Sequence, residues 1–336
     1  MALRVNLVAF ENGVGNSRDI SLLSAALREL GCAVQLSVPS KYARRRRRLR
    51  LVRAFGKARQ SWSAGQHARG VAAEFDLTVM LEHVWPEQLH RARRNVIVPN
   101  PEFFDRHDQS LLDSFDSVWA KTANTLELFR GRSRQCVLTG FDSEDRYSAE
   151  VVREPTFMHL AGKSRMKGTA PLLALWASRP RWPRLTVVQS LERRAARIDA
   201  ANIHYETNYL SDTELRALQN RNLFHICSSE TEGWGHYIAE AQSAAAIVVA
   251  TDAPPMSELV TAERGLLVPA SVHGRQHLAT TYQIAVGDME RSIERALALD
   301  DSARRTMSSA ARTWFVDNKR TFPGRIAAAL AALERR

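Results

Sequence analysis

Cysteine is scarce in this sequence. Its 336 residues include three, Cys32, Cys136 and Cys227, which lie far apart and beside apolar runs. An odd, scattered set does not make a disulfide framework; it reads as reduced, buried thiols and a cytoplasmic protein. No cysteine–histidine spacing suggests a zinc site. Long apolar runs are also missing: no stretch reaches the roughly eighteen residues that a membrane-spanning helix needs. The opening Met1–Phe10 reads as a first strand rather than a signal peptide, since its apolar part is short and no small-residue cleavage site follows. Acidic residues are fewer than basic ones, 36 against 47, and the net charge of +11 favours anionic partners such as nucleotides, lipid surfaces or nucleic acid without choosing among them.

The composition is globular, 45% hydrophobic and 25% charged, and the length suits two domains. Val5–Phe10, Ala33–Val38, Leu77–Leu81, Val96–Val98, Ser117–Ala120 and Gln135–Leu138 read as strands, and Ile20–Leu30 has helical spacing stopped by Gly31. Asp142–Pro155 is polar and turn-rich, which divides the chain into domains 1–150 and 151–336. The alternation restarts with strands at Thr156–Leu160, Leu185–Gln189, Ile203–Glu206, Leu223–Cys227 and Ile247–Ala250. A helical tail runs from about Ser302 to Leu333, with a break near Pro323. Such βα alternation predicts an α/β protein with parallel sheets covered on both faces. In sheets of this kind ligands bind outside the carboxyl ends of the strands, where Asn12–Asn16, Glu82–Trp85, Asn100–Glu102, Gly162–Gly168 and Glu230–Gly235 all fall.

The most informative stretch is Ser228–Ala241. A buried strand leads into Glu232-Gly233-Trp234-Gly235, and a helix-like run follows from His236 to Ala246. The glycines leave backbone N–H groups open to a ligand, and a helix N-terminus attracts anions. Glu232 and Glu240, with seven residues between them, can accept hydrogen bonds from hydroxyl groups. A lone pair of acids would read as a solvated turn and a helix-face charge; the glycines and flanking strands turn the reading toward a ligand. Phosphate and hydroxyls together outline a nucleotide sugar.

These residues, with Ala161-Gly162-Lys163…Lys167-Gly168, Ile247–Asp252 and Glu258-Leu259-Val260, resemble the retaining glycosyltransferases of glycosyltransferase family 4 over about Phe157 to Pro269. The resemblance implies the GT-B architecture: two Rossmann-like domains facing a cleft, with C-terminal helices that can cross back to the first. It implies that Glu240 holds ribose hydroxyls, that Glu232 holds a sugar hydroxyl at the catalytic centre, and that backbone N–H groups of Gly233, Trp234 and Gly235 contact sugar or phosphate. Lys163 and Lys167 would neutralise the diphosphate. The family's usual arginine stands here as Lys163, and Arg165 is a substitute for it. Cationic side chains aimed at a departing diphosphate stabilise its charge most in the transition state. No cofactor or metal is then required, and the sequence has no Asp-x-Asp signature of metal-dependent transferases.

In the N-terminal half, Gly13 and Gly15 form a Gly-x-Gly that reads equally as a turn or as a loop lining the diphosphate. His83, next to Glu82, is the candidate for the family's sugar-contacting histidine; a single histidine is otherwise more often structural. Glu82, Asn100 and Glu102 are acceptor-side candidates, with a proline-stiffened loop bearing an exposed acid as the plainer reading of the last. Lys41–Arg59 holds ten basic residues (Lys41, Arg44–Arg48, Arg50, Arg53, Lys57, Arg59) and no acid. It could rest on an anionic membrane surface at the inner face of the cell, contact nucleic acid, or be a solvated charge run. The expected function is transfer of a sugar from a nucleotide-diphosphate donor to a cell-envelope glycan or lipid-linked acceptor. The alternatives are a transferase acting on nucleic-acid bases, a non-catalytic sugar-nucleotide or nucleic-acid binding protein, and a sugar-nucleotide epimerase.

Overall fold

The computed structural model describes every residue except Met1, Asn12, Val14, 40–72, Lys163, 191–196 and Arg336. The basic run Lys41–Arg59 and the phosphate-loop Lys163 therefore lie outside the described residues. The chain forms two compact units. The first comprises Met1–Asp142, Gln276–Ala279 and Arg320–Arg336; the second comprises Ser143–Arg275 and Thr280–Lys319.

The first unit is built on a parallel sheet of β1 (Arg4–Val8), β2 (Ala33–Ser37), β3 (Phe75–Glu82), β4 (Ala92–Pro99), β5 (Ser117–Ala120) and β6 (Cys136–Leu138). Their order is β2-β1-β3-β4-β5-β6. The chain steps outward from β1 to β2 and then returns to the other side of β1, so the order reverses between β1 and β3. In β1 and β3 nearly every residue is buried on both faces, as in a parallel sheet covered by helices. The first helix, Gly15–Glu29, begins five residues before the spacing predicts.

The second unit has β7 (Glu154–Gly162), β8 (Leu185–Gln189), β9 (Ile203–Glu206), β10 (Asn222–Cys227), β11 (Ile247–Asp252), β12 (Gly265–Gln276) and β13 (Ala279–Ile284). Their order is β13-β12-β11-β10-β7-β8-β9, so the reversal lies between β7 and β10. All six residues of β10 are buried. Phe157 of β7 stacks on Phe224 of β10, with ring centroids 4.7 Å apart, and meets Trp176 edge-on at 4.9 Å. These contacts fix the two central strands in register around the core.

One expectation needs correction. The tail is one continuous helix, Asp301–Glu334, with Pro323 inside it. Proline removes a backbone donor and crowds the preceding turn, a cost of about 3 kcal/mol in an exposed helix interior. Here Phe322, Ile326 and Ala329 on one face are buried, and the Phe322 ring lies 5.3 Å from that of Phe141; this burial outweighs the break. The strand pair β12 and β13, joined by His277 and Leu278, was not predicted: Leu266–Val268 is a short apolar run, and the rest of β12 is mostly exposed. Among the described residues no helix is long and apolar enough to cross a membrane.

Candidate active site

In doubly wound sheets the reversal of strand order opens a crevice at the carboxyl ends of the two central strands. In the second unit that place is where β7 runs into Ser164–Gly168 and β10 into Ser228–Gly235. The two loops are stitched together. Glu230 N donates to Met166 O (2.9 Å), and Ser228 Oγ donates to Lys167 O (2.8 Å). From the flanks, Thr251 Oγ1 donates to Ser229 O (2.7 Å) and Tyr282 N to Glu230 O (2.9 Å).

Each loop ends in a glycine that starts a helix. Gly168 precedes Thr169–Ala177 with φ 63°, and a Cβ there would lie 2.7 Å from the Ser228 carbonyl oxygen. Gly235 precedes His236–Ser243 with φ 95°, and its Cβ would press on Ile238 and Leu259 at 3.2 Å. Only glycine meets both demands. The two helices thus start side by side at one end of the sheet, with the positive ends of their dipoles there.

Lys167 and Glu232 face each other across the loops. Lys167 Nζ bonds Glu232 Oε1, and Ser229 Oγ donates to the same oxygen. The Lys167 ammonium also sits over the Tyr237 ring, 3.6 Å from its centroid. Both side chains are 14% exposed, so the pair is shielded yet reachable. Glu240 has different surroundings. It is fully buried on the helix His236–Ser243 and accepts from Gln219 Nε2 (3.2 Å), whose Oε1 accepts from Arg146 Nε (2.9 Å). Trp234 is also buried, its Nε1 donating to Ser143 Oγ (3.0 Å). Arg165 lines a separate cavity of about 260 Å³ with Glu230, His273 and Tyr282, in whose wall neither Lys167 nor Glu232 takes part.

Beneath the loops, His159 is pinned between Ile226 O (2.9 Å) and Thr169 Oγ1 (2.9 Å). It ties β10 to the start of the helix after Gly168. Burial pushes its pKa down to about 4, so the ring is neutral at pH 7, and the same cause puts His225 at about 4.

In the first unit the carboxyl ends of β1, β3, β4 and β5 carry a second polar group. Glu82, the last residue of β3, has φ 65°, a conformation that side-chain-bearing residues adopt at a cost. Its Oε1 lies 3.2 Å from His83 Nε2, and its Oε2 accepts from Asn100 Nδ2 (3.1 Å). Asn100 Oδ1 accepts from Lys121 Nζ (3.0 Å), and Lys121 pairs with Asp19 in a buried ion pair. His83 Nδ1 lies 2.9 Å from Asp108 Oδ2, and the Phe10 ring stacks on the imidazole at 6.1 Å. Burial, the largest influence on His83, disfavours the charged ring. The bonds to Asp108 and Glu82 outweigh it, and the pKa is raised above 6.5.

The structure therefore gathers Glu82, His83 and Asn100 into one network in the first unit, and Glu232 and Lys167 into one cluster with Ser229 and Tyr237 in the second. Gly13 takes φ 70° and donates its N–H to Ser17 Oγ (2.9 Å). Gly15 is the first residue of its helix and has open space at its Cβ. Glu102, expected to be exposed, is buried. Sequence reasoning missed Asp108, Lys121, Ser229 and Tyr237. Lys121 directly follows β5, so the strand-end rule that singled out His83 could have found it. Among the described residues no group of histidine, cysteine and acidic side chains could hold a metal ion.

Comparison with known proteins bears on the fold and on one segment of the chain. Residues 186–314 match the family model of glycosyl transferases group 1. No curated protein sequence matches the chain. Among solved structures, a sucrose-phosphate synthase from Thermosynechococcus elongatus is similar with a TM-score of 0.69 and 14% identity, covering 99% of each chain. A glycosyltransferase from Rickettsia africae gives 0.67 and 12%, over 100% of this chain and 99% of that one. Anabaena HepE, in complex with UDP and glucose, gives 0.63 and 15%, over 98% and 100%. At these identities the likeness is one of fold, and the fold is GT-B. The family match covers residues 186–314, less than half of the chain.

Proposed function

We propose that the protein transfers a sugar, with retention of anomeric configuration, from a nucleoside-diphosphate donor to a hydroxyl-bearing acceptor. The observation that carries this reading is the Lys167–Glu232 pair, held between two glycine-started helices where the strand order reverses. Breaking a sugar–phosphate bond builds negative charge on the leaving diphosphate. Lys167 and the N–H groups at Gly168 and Gly235 are fixed charges and dipoles of the right sign to stabilise it. Both described contacts of Glu232 fall on Oε1, which leaves Oε2 to accept a sugar hydroxyl. Glu240 would hold the ribose hydroxyls. In the first unit, the Glu82–His83–Asn100 network has the polar side chains with which a site for a hydroxyl-bearing ligand is built.

The UDP and glucose bound by HepE make UDP-glucose the first donor to try. The test is release of nucleoside diphosphate from a panel of UDP-, GDP- and ADP-sugars with water as acceptor. Slow hydrolysis of one donor is expected, reduced about a hundredfold by Glu232→Gln. Tight binding with no turnover would favour a binding protein, and donor conversion without release would favour an epimerase. For the acceptor, the net charge of +11 supports an anionic surface. Transfer to lipid extracts would identify a lipid-linked or envelope acceptor, and transfer to duplex DNA the nucleic-acid alternative.

A further inference from the structure

Tyr237 is the second residue of the helix His236–Ser243, and it is linked to both members of the Lys167–Glu232 pair, to Lys167 directly and to Glu232 through Ser229. Helical side chains lean toward the N-terminus, which carries the ring over the loops. The face of the ring receives the Lys167 ammonium at 3.6 Å, a cation–π contact in a shielded place. The phenol bonds Ser229 Oγ. A serine hydroxyl has one proton, and that of Ser229 goes to Glu232 Oε1. The phenol must therefore be the donor to Ser229. Burial raises the Tyr237 pKa and keeps that proton in place. The chain runs one way, from Tyr237 O–H to Ser229 O–H to the carboxylate, and each bond polarises the next.

We propose that Tyr237 is a positioning residue. Its ring seats Lys167, and its hydroxyl, acting through Ser229, turns Glu232 so that Oε2 faces outward. This rests on the function proposed above, and it separates two effects within one side chain. The ring serves the diphosphate; the hydroxyl serves the sugar.

The test compares Tyr237→Phe, Tyr237→Leu and Ser229→Ala with the native chain. The probes are UDP, GDP and ADP for binding, and their glucose derivatives for hydrolysis. Tyr237→Phe and Ser229→Ala should keep nucleoside-diphosphate affinity within about twofold while lowering turnover about tenfold, a loss confined to kcat. Tyr237→Leu should also weaken nucleoside-diphosphate binding, by about fivefold. A merely structural tyrosine would lower the melting temperature without this split. Native turnover in Tyr237→Phe, or native affinity in Tyr237→Leu, overturns the proposal. A second measurement needs no nucleotide: the ring should shift the Lys167 ε-methylene protons upfield in the NMR spectra of the native chain and Tyr237→Phe, but not in Tyr237→Leu. A native spectrum with those protons at ordinary positions overturns the seat itself. If the native chain binds and hydrolyses none of the probes, the proposed function fails, and the methylene shift alone decides the placement of Lys167.

Discussion

His83 Nδ1 lies 2.9 Å from Asp108 Oδ2, while the other oxygen of Asp108 accepts from Val84 N (2.9 Å). The carboxylate is fully buried and is also part of the capping box that starts the short helix Arg106–Ser110. It cannot turn without breaking these bonds, so it fixes the imidazole plane. Because the folded pKa of His83 is raised above 6.5, the stabilisation from its carboxylates is complete below that pH and is lost as pH rises through the raised value. Asp108→Asn should bring the His83 pKa down, as followed by the Cε1–H shift in an NMR titration. An unchanged midpoint would show that Asp108 does not set the charge of His83.

His159 and His225 should behave oppositely. Their pKa values of about 4 in the folded chain lie below the value near 6.5 of an unfolded histidine. Their contribution to stability is present above pH 6.5 and falls as pH drops toward 4, by up to roughly 3 kcal/mol each. Thermal melts between pH 7 and pH 4 should show the loss, and both rings should keep neutral chemical shifts across most of that range. Protonation of either ring near pH 6 in the native state would contradict the burial argument.

Gly168→Ala should be among the costly single-methyl additions in the chain. A left-handed backbone at a residue with a side chain costs about 1–2 kcal/mol, and the new methyl would meet the Ser228 carbonyl at 2.7 Å. The melting temperature should fall by several degrees, and binding of nucleoside diphosphate should weaken with it. Gly15→Ala, where a Cβ meets nothing, is the control and should melt as the native chain does.

Glu240→Gln and Glu240→Ala should differ in kind. The amide can still pair with Gln219, so the first should fold with little loss while weakening nucleotide binding. The second leaves the buried Gln219 amide unpaired, which costs about 1–3 kcal/mol. Calorimetric titration with UDP, GDP or ADP checks the first expectation, and unchanged affinity would remove Glu240 from the ribose.

Much of the architecture was legible because buried parallel strands read as unbroken apolar runs. Leu185–Gln189 and Ile203–Glu206 have the bounds that their sequences predict. In the pair β12 and β13 only the short Leu266–Val268 run is apolar and the rest of β12 is mostly exposed, and Pro323 misled because local propensity was overruled by the burial of Phe322 and Ile326. At the candidate site, charges next to glycines stood out, which is why Glu232 and Lys167 were singled out, and His83 stood out by its place at the end of β3. Tyr237 and Asp108 were invisible for the opposite reason. One looks like a core aromatic and the other like an ordinary cap, and only the folded chain brings them to the groups they orient.

The Ser228–Glu230 segment is fastened through its own main chain to Met166, Thr251 and Tyr282. A strip anchored on three sides has little freedom left to surrender when a guest arrives, so its polar groups act as a preset template rather than a clamp that must first close. Loosening one anchor, as Thr251→Val would, should therefore appear in calorimetry as a less favourable entropy of nucleotide binding, with the surrounding contacts unchanged.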